Sequence, residues 1–143
     1  MKIITNAGGL DPNSCKNAIE QTAINLGISP PPKVAAIYGD DITFKIDQLI
    51  SDEALLPFNH LTDEFKSPLD EENLPKNKSI LSFNAYIGAF PIAEALRQGA
   101  QIIVTGRVVD SALVLGPLIY EFGWTTTDYD LLAAGSLAGH IIE

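Results

Sequence analysis

The chain has 143 residues, 46% of them hydrophobic, which is enough for one domain with a real core and excludes a disordered tail. Nine basic against eighteen acidic side chains leave a net charge of −9, which argues against nucleic acid or an anionic membrane as a partner. The single cysteine, Cys15, excludes an intrachain disulfide, the N-terminus lacks the apolar core of a signal peptide, and no run approaches the ~20 apolar residues of a membrane helix, so the expectation is a soluble, cytoplasmic protein.

In chain order, residues 2–5 predict a first short strand. The loop Asn6-Ala7-Gly8-Gly9-Leu10 follows, and Asp11 and Pro12 carry the signals that open a helix. Cys15, Ala18, Ile19, Ala23 and Leu26 recur at spacings of three and four, which predicts one buried helix face, and Gly27 stops the helix. Pro30, Pro31 and Pro32 force an extended connector into residues 34–38, an apolar run of the kind that doubly covered parallel strands show. Gly39-Asp40-Asp41 follows directly. A short helix is expected over 44–49, then a polar surface excursion over about 51–78, punctuated by Pro57, Pro68 and Pro75.

Residues 79–83 predict a strand, 84–88 a loop, and 91–98 a helix ended by Gly99. Residues 101–105 predict the next strand. Gly106 is expected to supply a turn by its freedom in φ, and Asp110 to cap a helix that Pro117 kinks or ends. A turn at Phe122-Gly123-Trp124 leads to a last helix from Asp128. The small residues Ala133, Ala134, Gly135, Ser136, Ala138 and Gly139 predict close packing against the sheet, a neighbouring helix or a ligand.

Strands alternating with helices at this spacing predict an α/β fold over 1–143 as a single domain. The sheet is expected to be largely parallel, with helices on both faces, in a Rossmann-like layered architecture. Ligands of such sheets sit at the carboxyl ends of the strands, where four unusual loops fall: 6–9, 39–41, 84–88 and 105–107.

Each loop carries two readings. Asn6, Gly8 and Gly9 form either a cradle of backbone amides for a phosphate or carboxylate, or a tight strand-to-helix turn; neither GxGxxG nor GxxxxGK[ST] is present. Asp40 and Asp41 either bind Mg²⁺ or move a proton, or one of them caps the helix that starts near Thr43. Asn84 and Tyr86 offer groups that orient a carbonyl, with packing as the alternative for Tyr86. Thr105, Gly106, Arg107 and Asp110 form an anion site, or Arg107 pairs with a neighbouring carboxylate. His140 is a candidate acid or base, against the reading of a satisfied core histidine; His60 reads as surface. No HxxxH, CxxC or GxSxG pattern occurs, so zinc hydrolysis and serine-hydrolase chemistry have no foothold.

The segments TNAGGLDP, IYGDD, NAYIGAFPIAEAL, GAQIIVTGRVVDSALVLGPLIYEFGW and LLAAGSLAGHIIE, in this order, resemble the N-terminal domain of the acyclic terpene utilisation protein family. The resemblance spans nearly the whole chain outside 51–78, and TGRxxDS and AGSLAGH are its most specific parts. It implies a place in the breakdown of citronellol and geraniol through acyl-CoA intermediates, as an enzyme or enzyme subunit acting on a branched acyl-CoA or related carboxylate. The alternatives are a noncatalytic acyl-CoA-binding or assembly module and an inactive fragment. The family's GGLNP motif has Asp11 here in place of asparagine. Family members have sequence before the NAGG loop and a Cys-Gly pair after the GHxxE segment, so the chain is expected to be a fragment or a shortened relative. A missing first strand would leave an open sheet edge that favours a homo-oligomer or a partner subunit.

Overall fold

A computed structural model of the protein describes residues 1–46 and 82–142. The chain divides into two compact units, Met1–Asp41 with Ala85–Glu143, and Ile42–Asn84.

The first unit is built on three parallel strands, β1 (Ile3–Thr5), β2 (Val34–Ile37) and β3 (Ile102–Thr105), in the order β1-β3-β2. The β-branched run of β3 takes the centre, with Ile102 in register with both Ile3 and Val34. Its Ile103, Val104 and Thr105 are fully buried. Successive strand residues point to opposite faces. Ile103 and its register partners Ile4 and Ala35 pack with Ile92, Leu96 and Ile119 from the helices that follow, whereas Ile102 lies against α1 (Pro12–Asn25). The sheet therefore has helices on both faces, and the protein is α/β as its sequence implies.

Asp11 and Pro12 open α1 as expected: the Ser14 amide donates to the Asp11 carboxylate at 3.0 Å, and hydrogen bonding from the Ser14 side chain first, then from its amide, holds the Asp11 carboxyl below its usual range. Gly27, at φ +67°, ends the helix in the left-handed region. The apolar side of α1 departs from expectation. Only Pro12 and Ala23 of the helix are buried, Ile24 and Leu26 are exposed, and half-buried Cys15 lines an open apolar groove with Ala18, Ile19 and Ile102.

On the other face, α2 (Phe90–Arg97) and α3 (Ala112–Phe122) pack together, and α4 (Tyr129–Ile142) packs on α3. A Cβ on Gly116 would lie 2.6 Å from Ile92 Cγ2, so glycine lets α3 approach α2. The small-residue run at 133–139 resolves into helix-to-helix packing: a Cβ on Gly135 would meet Leu115 Cδ1 at 2.8 Å, and one on Gly139 would meet the Ser111 carbonyl oxygen at 2.6 Å. Pro117 neither ends nor divides α3, which runs on to Phe122. The ring removes one N–H from the ladder, yet α3 is held on both sides of it by the packing of Gly116, Leu115 and Leu118 against α2 and α4. Asp128 opens α4, accepting from the Thr125 amide at 2.6 Å and the Thr125 hydroxyl at 2.8 Å, and both bonds keep its carboxyl below the usual range.

In the second unit the expected helix over 44–49 begins as one 3₁₀ turn, Thr43–Lys45; residues 47–49 lie outside the described residues. The predicted strand at 79–83 ends in a loop, in which the Phe83 amide donates to Thr43 Oγ1 at 2.8 Å and the Ile42 amide donates to the Phe83 carbonyl at 2.8 Å. Residues 79–81 and the excursion at 51–78, with His60, lie outside the described residues. Among the described residues no helix is long and apolar enough to cross a membrane.

Candidate functional site

The carboxyl end of β3 runs straight into the Thr105-Gly106-Arg107 loop, which three long-range backbone contacts tie down. The Gly106 amide donates to the Ile37 carbonyl at 2.9 Å, at the end of β2. The Ile87 amide donates to the Arg107 carbonyl at 3.1 Å, and the Val109 amide donates to the Ile87 carbonyl at 3.1 Å, so Ile87 and Val108 form a short parallel bridge. This bridge sets Tyr86 beside Arg107. One guanidinium N–H of Arg107 donates to the Tyr86 hydroxyl at 3.0 Å, and the guanidinium carbon lies 5.3 Å from the ring centroid.

Asp40 works underneath. It is only 4% exposed, and its Oδ2 accepts the Arg107 backbone N–H at 3.0 Å while its own carbonyl accepts from the Ala85 amide at 2.7 Å. Gly106 is required here by space and not by turn geometry. It lacks a positive φ, but a Cβ at this position would lie 2.2 Å from Asp40 Oδ1 and 2.8 Å from its Cγ. Glycine after Thr105 therefore admits a buried carboxylate, and that carboxylate fixes the backbone from which the arginine projects.

On the far side, Asn6 at the end of β1 donates from Nδ2 to Asp110 Oδ1 at 3.1 Å. Asp110 does not cap α3 as its sequence position predicts. The helix starts one residue later, with Ser111 in the flanking position and no side-chain cap, because the Asp110 carboxylate is turned to Asn6. The phosphate-cradle reading of residues 6–9 narrows in the same way. The Ala7 amide donates to Thr5 Oγ1 and the Gly9 amide to the Asn6 carbonyl, so the loop uses these donors itself. Gly8 is buried, with space for a Cβ closed off by the Thr105 carbonyl oxygen at 2.5 Å.

Asn6, Tyr86, Gly106, Arg107, Val108 and Asp110 line one cleft of about 140 Å³. Five of these six are candidates named from the sequence; Val108 was not, although it lies between Arg107 and Asp110 and reaches the site through its bridge to Ile87. Within the first unit, the other candidates do not line the cleft. Thr105 is fully buried behind it, its hydroxyl donating to the Gly106 carbonyl at 3.0 Å. Asp41 is exposed, and Asn84 belongs to the second unit. His140 is exposed on the last turns of α4, which excludes the core-histidine reading. The residue flanking the turn at Thr43 is Ile42, which has no side-chain cap. Among the described residues no group of three or more His, Cys, Asp or Glu side chains comes together to hold a metal, so the Asp40 and Asp41 pair forms no complete Mg²⁺ site there.

The electrostatics of the cleft turn on Arg107. Elsewhere Lys16 pairs with Glu20 at 2.8 Å and Arg97 with Glu94 at 3.3 Å. The Arg107 side chain instead meets a neutral phenol, and among the described residues no carboxylate pairs with it. In a chain with eighteen acidic residues this leaves guanidinium donors directed at an open cleft.

Comparisons with curated proteins and with solved structures return no match. A family model described as "Acyclic terpene utilisation family protein AtuA" matches residues 1–143. The chain belongs to the acyclic terpene utilisation family, and that name ties it to the use of acyclic terpenes.

Proposed function

We propose that this domain binds an anionic intermediate of acyclic terpene breakdown, a branched acyl-CoA or the corresponding carboxylate, through the cleft at the carboxyl ends of its strands, as part of an enzyme or enzyme subunit. The observation that carries this reading is the Arg107 guanidinium, which faces the cleft without a carboxylate partner among the described residues and is braced by Tyr86. Bidentate capture of a carboxylate or phosphate is what such a planar donor fork does best. A cleft of about 140 Å³ seats the anionic group alone, since sites for drug-sized ligands run to roughly 300–1,000 Å³. The hydrocarbon part of the ligand then extends beyond it.

A noncatalytic binding module is the second reading. It is favoured by one observation: none of the residues considered for proton transfer, Asp40, Asp41 and His140, lines the cleft.

Thermal unfolding with and without geranyl-CoA tests the binding. A ligand at ~100 times its dissociation constant adds about 2.7 kcal/mol, which raises the midpoint by several degrees in a domain of this size. A cooperative transition that does not move with geranyl-CoA or with the free branched carboxylate overturns the proposal. Turnover by the full complex that survives Asp110→Ala would favour the noncatalytic reading.

A further inference from the structure

The hydrogen-bonding capacity left over in the cleft is unequal from one wall to the other. On the Arg107 side are donors. One guanidinium N–H is given to the Tyr86 oxygen, which leaves the other guanidinium N–H groups, and because that oxygen accepts from Arg107 its own hydroxyl hydrogen is available to a ligand. On the Asn6 side are acceptors. Asn6 directs its side-chain amide nitrogen to Asp110 Oδ1, which leaves Asn6 Oδ1 and Asp110 Oδ2 to receive a hydrogen. A simple anion satisfies the first wall only. Set against the second, it would lie near a carboxylate that repels it, so a cleft meant for a bare anion would not carry Asp110.

We propose that the cleft recognises a short hydroxycarboxylate head group, with its carboxylate on Arg107 and Tyr86 and its hydroxyl donating to Asp110, held in place by Asn6. This rests on the anion-binding reading above and names the substrate class of the same site. An ammonium group would also donate to Asp110. The hydroxyl is favoured because terpenes are built from carbon and hydrogen and are degraded through oxygenated derivatives, so a family tied to their use meets hydroxyl groups and not amines. Size agrees: a cleft of about 140 Å³ is well below the roughly 300–1,000 Å³ of sites for drug-sized ligands, which suits a short hydroxy acid.

The test is a titration of the 143-residue chain, followed by NMR shifts of the backbone amides of Tyr86, Arg107 and Asp110. The probes are 2-hydroxybutanoate, 3-hydroxybutanoate, butanoate and 2-aminobutanoate, with wild type, Asp110→Ala and Arg107→Ala run in parallel. The expected result is that at least one hydroxy acid binds the wild type about tenfold or more tightly than butanoate, the scale of one hydrogen bond to a charged group. Asp110→Ala should bind that hydroxy acid no more tightly than butanoate, and Arg107→Ala should weaken every acid. Equal binding of the hydroxy acids and butanoate overturns the hydroxyl assignment and leaves the anion reading standing. Tightest binding of 2-aminobutanoate overturns it in favour of an amino acid. If no carboxylate moves any of the three amides while the rest of the spectrum stays folded, the anion reading fails together with this one.

Discussion

Two regions of the molecule use glycine to bring groups closer than a side chain allows, with different results. At the seam of α3 and α4, Gly139 meets the Ser111 backbone and Gly135 meets Leu115 and Trp124, and what is gained is packing. At the end of β3, Gly106 meets the carboxylate of Asp40, and what is gained is a fixed loop that presents Arg107 to a cleft. In the seam the glycines serve stability alone. In the loop the close contact is polar and one residue removed from the group that faces a ligand, so its loss should reach function before it reaches the fold.

Substitution of each glycine breaks this comparison if it is wrong. Gly139→Val should have the largest effect on stability. Its Cβ would fall 2.6 Å from one Ser111 backbone atom and 2.8 Å from another, and backbone yields less readily than a flexible side chain, so the loss should be about 3 kcal/mol in urea unfolding. Gly106→Ala should cost less, about 1–3 kcal/mol, because the atoms it strikes belong to a side chain that can move. Moving Asp40 leaves the Arg107 amide without its acceptor, which is the origin of that cost. The discriminating readout is binding: geranyl-CoA or hydroxy acid affinity should fall in Gly106→Ala and persist in the folded fraction of Gly139→Val. Asp40→Asn, which retains an acceptor oxygen for the Arg107 amide, should itself remain folded. Equal loss of affinity in both glycine variants would mean that the two regions are mechanically one.

Arg107→Ala sharpens the same contrast from the other direction. The side chain is exposed and makes one hydrogen bond to a neutral group, so stability should change by no more than about 0.5 kcal/mol, whereas ligand affinity should fall by about tenfold or more. A large fall in stability would make Arg107 a structural residue.

How much of this was legible in the sequence follows the distance over which each decision is made. Asp11 and Pro12 act within one helical turn, and both do what their positions imply. The apolar β3 run and the alternation of strands and helices carry their meaning locally, so the parallel sheet and the address of the cleft were readable. Asp40 was legible as an unusual residue but not as the acceptor for an amide 67 positions later. Asp110 looked like a cap because the sequence shows its helix and hides Asn6, 104 positions away. Gly106 looked like a turn residue because a glycine required for space and one required for φ are the same letter. His140 sits among small apolar neighbours in the chain, yet helical geometry turns Gly135 and Gly139 inward and leaves the histidine exposed.

The smallest effect separates local from long-range use of a carboxylate. Asp11 caps α1 from the surface, and the Ser14 hydrogen bonds lower its pKa in the folded chain. For a depressed carboxyl group the stabilisation is fully present above the unfolded value of about 3.9 and is lost as pH falls through the lower folded value. Asp11→Asn keeps an oxygen to accept from the Ser14 amide but does not titrate. The wild type should therefore lose stability relative to Asp11→Asn as pH drops below about 4, and the difference between the two should be flat above it. Glu94 and Asp128 are also depressed and titrate in the same window, so the comparison must be between these two proteins and not the raw pH profile of either. Thermal midpoints from pH 2.5 to 7 make the measurement. A difference that is flat across the whole range would show that the cap does not depend on the charge of Asp11, which would leave α1 held by Pro12 and its burial of Ala23.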